Sequence, residues 1–356
     1  MCIRDRIYPF CLFLAISSCK ENRLNEKETR KAATFFVAPN TPTRATDTSF
    51  ESGDEIGIFA VERLSPDIPG LLNTASYAIN RRYRIDYNGN LLPVLKEDEI
   101  SLSRIDYYDI YAYYPYTEKN YDPQAIDFKL DYQQNSMVKY KQHDVMFAKA
   151  LGIWGNTSSI GLNFSRKMAA VDFQLRKEQG IQIHSVSLSS AYCNCRGNLA
   201  TGTVEATGKK YTINMYPLQE TTNTYTFRAL LPEQILPAST QLYMTANSND
   251  HSLPFQTVTD VPLTSGTTSM FPAEMMYRVF VKQRGSGRVS GAGIYKHGEI
   301  VTIAAIPAPG YQLEGWYYTP DGIWSEELPR VSTELNYSFP VTKYSRFIAN
   351  FIPKEI

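Results

Sequence analysis

Tyr107-Tyr-Asp-Ile-Tyr-Ala-Tyr-Tyr114, stopped by Pro115, is the stretch whose reading decides the fold. Aromatic and β-branched side chains favour a pleated strand, and proline has no N–H to continue its ladder. Side chains alternate along a strand, so one face carries Tyr107, Asp109, Tyr111 and Tyr113, and the other Tyr108, Ile110, Ala112 and Tyr114. One face must be core; the other is free to present aromatic surface to a ligand or partner. The same texture extends in both directions. Ile56–Val61 reads as a buried strand after a turn at Gly53-Asp54. Tyr83–Tyr87 alternates and then turns at Asn88-Gly89, a strong hairpin signal. Leu162–Phe164, Val171–Leu175 and Tyr225–Leu231, the last halted by Pro232, continue the pattern. No segment keeps helical periodicity beyond about two turns, so helices should be short and few. Short alternating strands between regular turns indicate a mostly β protein built from β-sandwiches.

Composition narrows the function classes. At 356 residues there is room for two or three domains, and 43% hydrophobic content supplies their cores. Lys plus Arg and Asp plus Glu balance at 36 each, which removes any global argument for nucleic acid as a partner. The four histidines, His143, His184, His251 and His297, are scattered without ligand spacing. No Gly-x-Ser-x-Gly elbow or phosphate loop is present, and Gly285-Ser-Gly287 lacks both the third glycine and a following helix. Glu97-Asp98-Glu99 reads as a solvated loop. We therefore expect no catalytic residues, no metal and no cofactor.

The N-terminal residues speak to location. The apolar run Ile7–Cys19 is too short for a bilayer, which takes about 20 residues, but fits a secretory signal core. It closes on Ile16-Ser17-Ser18-Cys19, which resembles a bacterial lipobox. That resemblance makes residues 1–19 the lipoprotein signal region and implies removal of the peptide before Cys19 and lipidation of Cys19, anchoring the chain in the outer membrane. Met1–Arg6 resembles a translated sequencing-adapter remnant. Residues 20–32 are charged and nearly free of apolar side chains, the composition of a tether. With Cys2 and Cys11 in the signal region, only Cys193 and Cys195 remain in the body. Two structural thiols, a strained bridge and a metal pair are all open for them.

Further along, we expect a first sandwich over residues 33–160 and a second over 161–274. A small β repeat domain should follow over 275–356, with Gly298-Glu-Ile-Val-Thr-Ile303 and Gly310-Tyr-Gln-Leu-Glu-Gly-Trp316 as its marks. Trp316 and Tyr317 suit either its core or contact with a sugar ligand.

Several segments, in order, resemble the fimbrillin family of Bacteroidetes surface proteins. They are Thr43-Arg-Ala45, Phe50–Phe59, Tyr108–Tyr116, Asp131-Tyr-Gln-Gln134, His143–Ala148 and Leu162–Met168. The last unit is similar to the small β repeats of bacterial surface proteins. The resemblance implies two transthyretin-like β-sandwich domains followed by a small β-rich repeat domain, in a lipoprotein serving as fimbrial subunit or adhesin. It further implies a proteolytic cut after an arginine in the early loop. Arg44 fits that position and would leave Ala45 as the new N-terminus. The removable strand would be Thr34, Phe35, Phe36, Val37 and Ala38, and a strand from another fimbrial subunit would fill the groove by β-augmentation. The repeat occupies the end of the chain where a donated strand is expected, which suggests a tip or accessory subunit. The alternative is a surface glycan-binding lipoprotein of a polysaccharide-uptake system.

Overall fold

Turn chemistry and strict alternation translate into short, mostly antiparallel strands. The computed structural model describes residues 29–39, 50–177, 182–238, 240–246, 255–256, 259–273 and 276–354. Cys19, Arg44 and Ala45 lie outside the described residues.

The chain divides into two units that each draw on separate stretches. The first takes residues up to Leu130, Lys141–Met168 and Asn194–Gly208. Its strands are β1 (Arg30–Ala32), β2 (Phe35–Val37), β3 (Glu55–Glu62), β4 (Ala78–Ile85), β5 (Asn90–Pro93) and β6 (Ser101–Ser103). They continue with β7 (Tyr107–Tyr114), β8 (Ile126–Phe128), β9 (Met146–Trp154), β10 (Ile160–Leu162) and β11 (Phe164–Arg166). Eight of them form one sheet in the order β10-β2-β5-β4-β3-β7-β9-β11. The β4–β5 hairpin turns where Asn88-Gly89 places it. Gly89 takes φ +81°, and the Asp86 carboxylate accepts the Asn88 and Asn90 N–H groups at 2.8 Å.

Strand β7 lies mid-sheet, and Tyr108, Ile110, Ala112 and Tyr114 enter the core with Ile56, Ile58 and Phe164. Its second face is not a bare aromatic ladder. Asp109 is buried in an ion pair with Arg63 at 2.8 Å. Tyr113 is fully buried, donates to Asn80 Oδ1 at 2.6 Å and meets the Phe128 ring edge-on. Phe128 belongs to β8, which forms a three-stranded sheet with Cys195–Asn198 and Thr203–Ala206. Gly197 is required there, because a Cβ would sit 2.4 Å from the Phe147 ring. Tyr107 and Tyr111 remain half-buried.

One element departs from expectation. Residues 30–32, read as the end of a solvated tether, pair antiparallel with β6. Backbone pairing needs no apolar side chain, and the Arg30 guanidinium stacks 5.2 Å from the Tyr77 ring centroid.

The second unit takes Asp131–Tyr140, Ala169–Cys193 and Lys209–Ile356. One of its sheets joins, in order, Tyr216–Glu220, Thr224–Leu231, Ala169–Arg176 and Thr268–Ala273. Another joins Lys210–Asn214, Ile183–Tyr192, Gln241–Ala246 and Phe255–Gln256. Val171, Phe173, Val186, Leu188, Ile213 and Leu231 are among its buried residues. Gln134 clamps the central strand from the side chain: its amide donates to the Leu230 carbonyl at 2.9 Å and accepts the Leu230 N–H at 2.8 Å. Cys193 and Cys195 are both buried thiols.

From Met276 the chain builds a five-stranded and a three-stranded sheet. Trp316, Val301, Ile303, Phe347 and Phe351 are buried in this part. The Gly285-Ser-Gly287 turn has a packing explanation. Gly285 has φ +80°, and a Cβ on it would lie 2.1 Å from the Phe351 carbonyl oxygen.

Candidate strand-exchange site

Thr34–Ala38 is short, but its neighbours make it an internal element. Strand β2 pairs in parallel with β10, Phe35 opposite Ile160, and antiparallel with β5, Phe35 opposite Leu91. It is thus second from the sheet edge rather than an edge strand. Its end residues are tied on both sides. Val37 N–H donates to the Gly89 carbonyl and Ala38 N–H to the Leu162 carbonyl, both at 2.9 Å, while the Thr34 carbonyl accepts Ile160 N–H at 2.9 Å. The Thr34 hydroxyl donates to the Ser158 carbonyl at 2.5 Å.

Side chains fix the same position. Phe35 is 2% exposed and meets the Tyr83 ring edge-on at 5.4 Å. Phe36 lies over Gly161, where a Cβ would come within 2.9 Å of its ring. Tyr83 links this packing to the next layer. Its hydroxyl accepts the Ile100 N–H at 3.0 Å, while the Ile100 carbonyl accepts Ala33 N–H at 2.8 Å. Burial pushes the Tyr83 phenol up to about 12, so it stays neutral at ordinary pH and needs no counter-charge.

Taking residues 29–38 away would therefore uncover Tyr83, Leu91, Ile100, Ile160 and Leu162, now at most 3% exposed. It would also strip the backbone partners of β5, β6 and β10. A buried polar group left without a partner costs about 1–3 kcal/mol, and one buried phenylalanine contributes about 1.5–3 kcal/mol. The vacated groove is a slot that is unfavourable until another strand fills it.

The paired segment ahead of the 40–49 stretch is larger than the five residues read from the sequence. It includes β1, whose Thr29-Arg-Lys-Ala carries no apolar pattern to announce a strand. Downstream the described chain resumes at Phe50, whose ring packs edge-on against Tyr114 at 5.2 Å and Phe164 at 5.0 Å. Both flanks of the 40–49 segment holding Arg44 and Ala45 are thus anchored in the same unit.

The other residues singled out fall in the second unit. Trp316 is fully buried and its indole N–H donates to the Glu334 carbonyl at 3.1 Å. Tyr317 is 8% exposed and packs edge-on with Trp324 at 4.8 Å. Neither ring turns a face to solvent. Among the described residues, no group of three His, Cys, Asp or Glu side chains is placed to hold a metal ion.

Comparison with known proteins bears on the whole chain. No curated protein matches it. Among solved structures, a candidate cell adhesion protein from Bacteroides ovatus is 21% identical, with 68% of this chain and 92% of that one covered and a TM-score of 0.52. A candidate cell adhesion protein from Bacteroides uniformis is 19% identical, covering 68% and 93%, with a TM-score of 0.49. A fimbrial protein from Bacteroides ovatus is 17% identical, covering 68% and 48%, with a TM-score of 0.37. The first of these likenesses shows a shared fold. The divergent InlB B-repeat model matches residues 277–355, the part read as a β repeat. The fimbrillin-like model matches residues 43–276, more than half of the chain, and the protein belongs to the fimbrillin-like family.

Proposed function

We propose that this protein is a surface subunit of a fimbria, or an adhesin, that accepts a strand from another subunit into the groove held by β2. The observation that carries this reading is the internal placement of β2. Its removal opens an apolar slot bounded by two unpaired strand edges rather than merely shortening an edge. In this reading Cys19 carries the lipid that holds the precursor at the outer membrane. Cleavage after Arg44 then frees the segment ahead of Ala45, and an incoming strand restores the lost pairing by β-augmentation. The body is two transthyretin-like sandwiches followed by the repeat. In this reading the protein takes a tip or accessory position, and the repeat strand Ser345–Pro353 stays paired on both sides, by Met276–Arg284 and by Tyr311–Tyr318. That strand is fully engaged within its own sheet and is not available for donation.

Locking β2 in place tests strand exchange. Phe36 lies directly opposite Asn90 in an antiparallel pair, a spacing that a disulfide can span. The Phe36→Cys/Asn90→Cys double variant, oxidised, should be almost absent from sheared fimbriae, and reduction should restore wild-type incorporation. Normal incorporation of the oxidised form would rule out exchange at this groove.

A further inference from the structure

The five-stranded sheet of the repeat carries a face that the assembly reading does not use. Along Met276–Arg284, Tyr277 and Val279 are buried, while alternation puts Arg278, Phe280, Lys282 and Arg284 on the opposite face. The neighbouring strand runs parallel and sets Arg346 opposite Phe280. The cations and rings interleave. Arg278 and Arg346 lie 5.4 Å and 5.9 Å from the Phe280 ring centroid. Arg346 is also 4.6 Å from Tyr344, and Arg284 is 4.6 Å from Trp324. Among the described residues, none of Arg278, Lys282, Arg284 and Arg346 forms an ion pair with a carboxylate. Acidic groups border the face, and hydrogen bonds, with the Arg346 charge added, hold the Asp321 carboxyl below its ordinary range. Glu314 is engaged by the Asn350 amide, and Asp321 accepts the Thr319 hydroxyl and the Ile323 N–H at 2.9 Å.

We propose that this face binds an acidic polysaccharide bearing carboxylate or sulfate groups. Same-face residues recur about every 6.7 Å along a strand, so the row is a flat strip of positive charge. The whole chain balances 36 basic against 36 acidic residues, so the strip is a local concentration and not a reflection of bulk charge. A counter-charge on a partner relieves the repulsion along it. A guanidinium lying on a ring is already oriented, so little further ordering is needed on binding. Arg346 spends Nη1 on the Pro320 carbonyl at 2.6 Å, which leaves Arg278 and Arg284 to offer the full fork to a carboxylate or sulfate. Guanidinium groups lie over the Phe280, Tyr344 and Trp324 rings, so the strip recognises the regularly spaced anionic groups of the polymer and not the flat sides of its sugars. A bilayer surface fits less well, because interfacial binding needs apolar side chains that insert, and here the rings lie beneath the cations. The inference deepens the adhesin reading by naming a ligand class, and rests on it only for the place where that ligand is met.

The test uses the purified full-length body with heparin, polygalacturonate and neutral dextran as probes. Heparin or polygalacturonate should bind and weaken as salt rises, with dextran silent. The Arg278→Gln/Lys282→Gln/Arg284→Gln variant should lose at least about tenfold in affinity. Arg288→Gln, on an exposed side chain of the three-stranded sheet, should bind as wild type. Arg278→Gln and Lys282→Gln taken singly, each severalfold weaker, decide the matter if the triple variant melts early. Unchanged binding by the variants, or no binding by the wild type, overturns the proposal. So does equal binding of duplex DNA or phosphatidylglycerol vesicles. None of these readouts depends on fimbrial incorporation, so failure here leaves the strand-exchange reading to its own test.

Discussion

Replacing Arg228 by alanine is expected to destabilise the second unit by about 3–5 kcal/mol, read as a lowered urea midpoint at unchanged slope. Arg228 and Asp172 face each other in register on adjacent antiparallel strands. Their contact is bidentate, Nε to Oδ1 at 2.6 Å and Nη2 to Oδ2 at 2.7 Å, with the residues 5% and 2% exposed. Water cannot screen such a pair, and the buried Asp172 carboxylate is tolerated because the Arg228 charge is present. Truncating the arginine leaves a buried carboxylate without its counter-ion, so the penalty is mostly that of the orphan. The companion Asp172→Leu/Arg228→Met variant removes both charges together and should fall within about 1.5 kcal/mol of wild type, or above it. A cost below about 1 kcal/mol for Arg228→Ala would mean that the pair behaves like a surface bridge.

Trp316→Ala should have an effect of the same size, about 3–5 kcal/mol, confined to the repeat. The indole is fully buried and donates to the Glu334 carbonyl, so truncation opens a large cavity and strands an acceptor. Near-ultraviolet circular dichroism and a thermal scan should show the repeat melting early. The ring is a core element, so any loss of sugar binding in this variant would report unfolding. A thermal scan matching wild type would show instead that the ring is dispensable to the core.

How much was legible follows from the range over which each signal acts. The eight-residue strand at Tyr107 and the Asn88-Gly89 hairpin are local, set by period-2 alternation and turn chemistry, and both stand in the structure. The parallel pairing of β2 with β10 joins segments over 120 residues apart, and nothing in Phe35-Phe36-Val37 names its partner. The hairpin containing Cys195–Asn198 joins the first unit because Gly197 lets Phe147 and Phe128 approach, a steric fact visible only in three dimensions. Strand β1 was missed because Arg30-Lys31 has the composition of a tether. Trp316 was ambiguous because a glycine-tryptophan step reads alike whether the ring points inward or outward. The basic row Arg278-x-Phe280-x-Lys282-x-Arg284 was present as a period-2 pattern, but Arg346 joins it only through strand pairing.

Strand exchange requires that the segment holding β1 and β2 leave the mature protein and be replaced in trans. Mass spectrometry of its N-terminus, from outer-membrane and sheared-fimbria fractions, tests this most directly. Strand exchange predicts a chain beginning at Ala45 in the fimbrial fraction, with residues 29–38 absent. A lipidated Cys19 with β1 and β2 still attached, found in fimbriae as well as in the membrane, would contradict it.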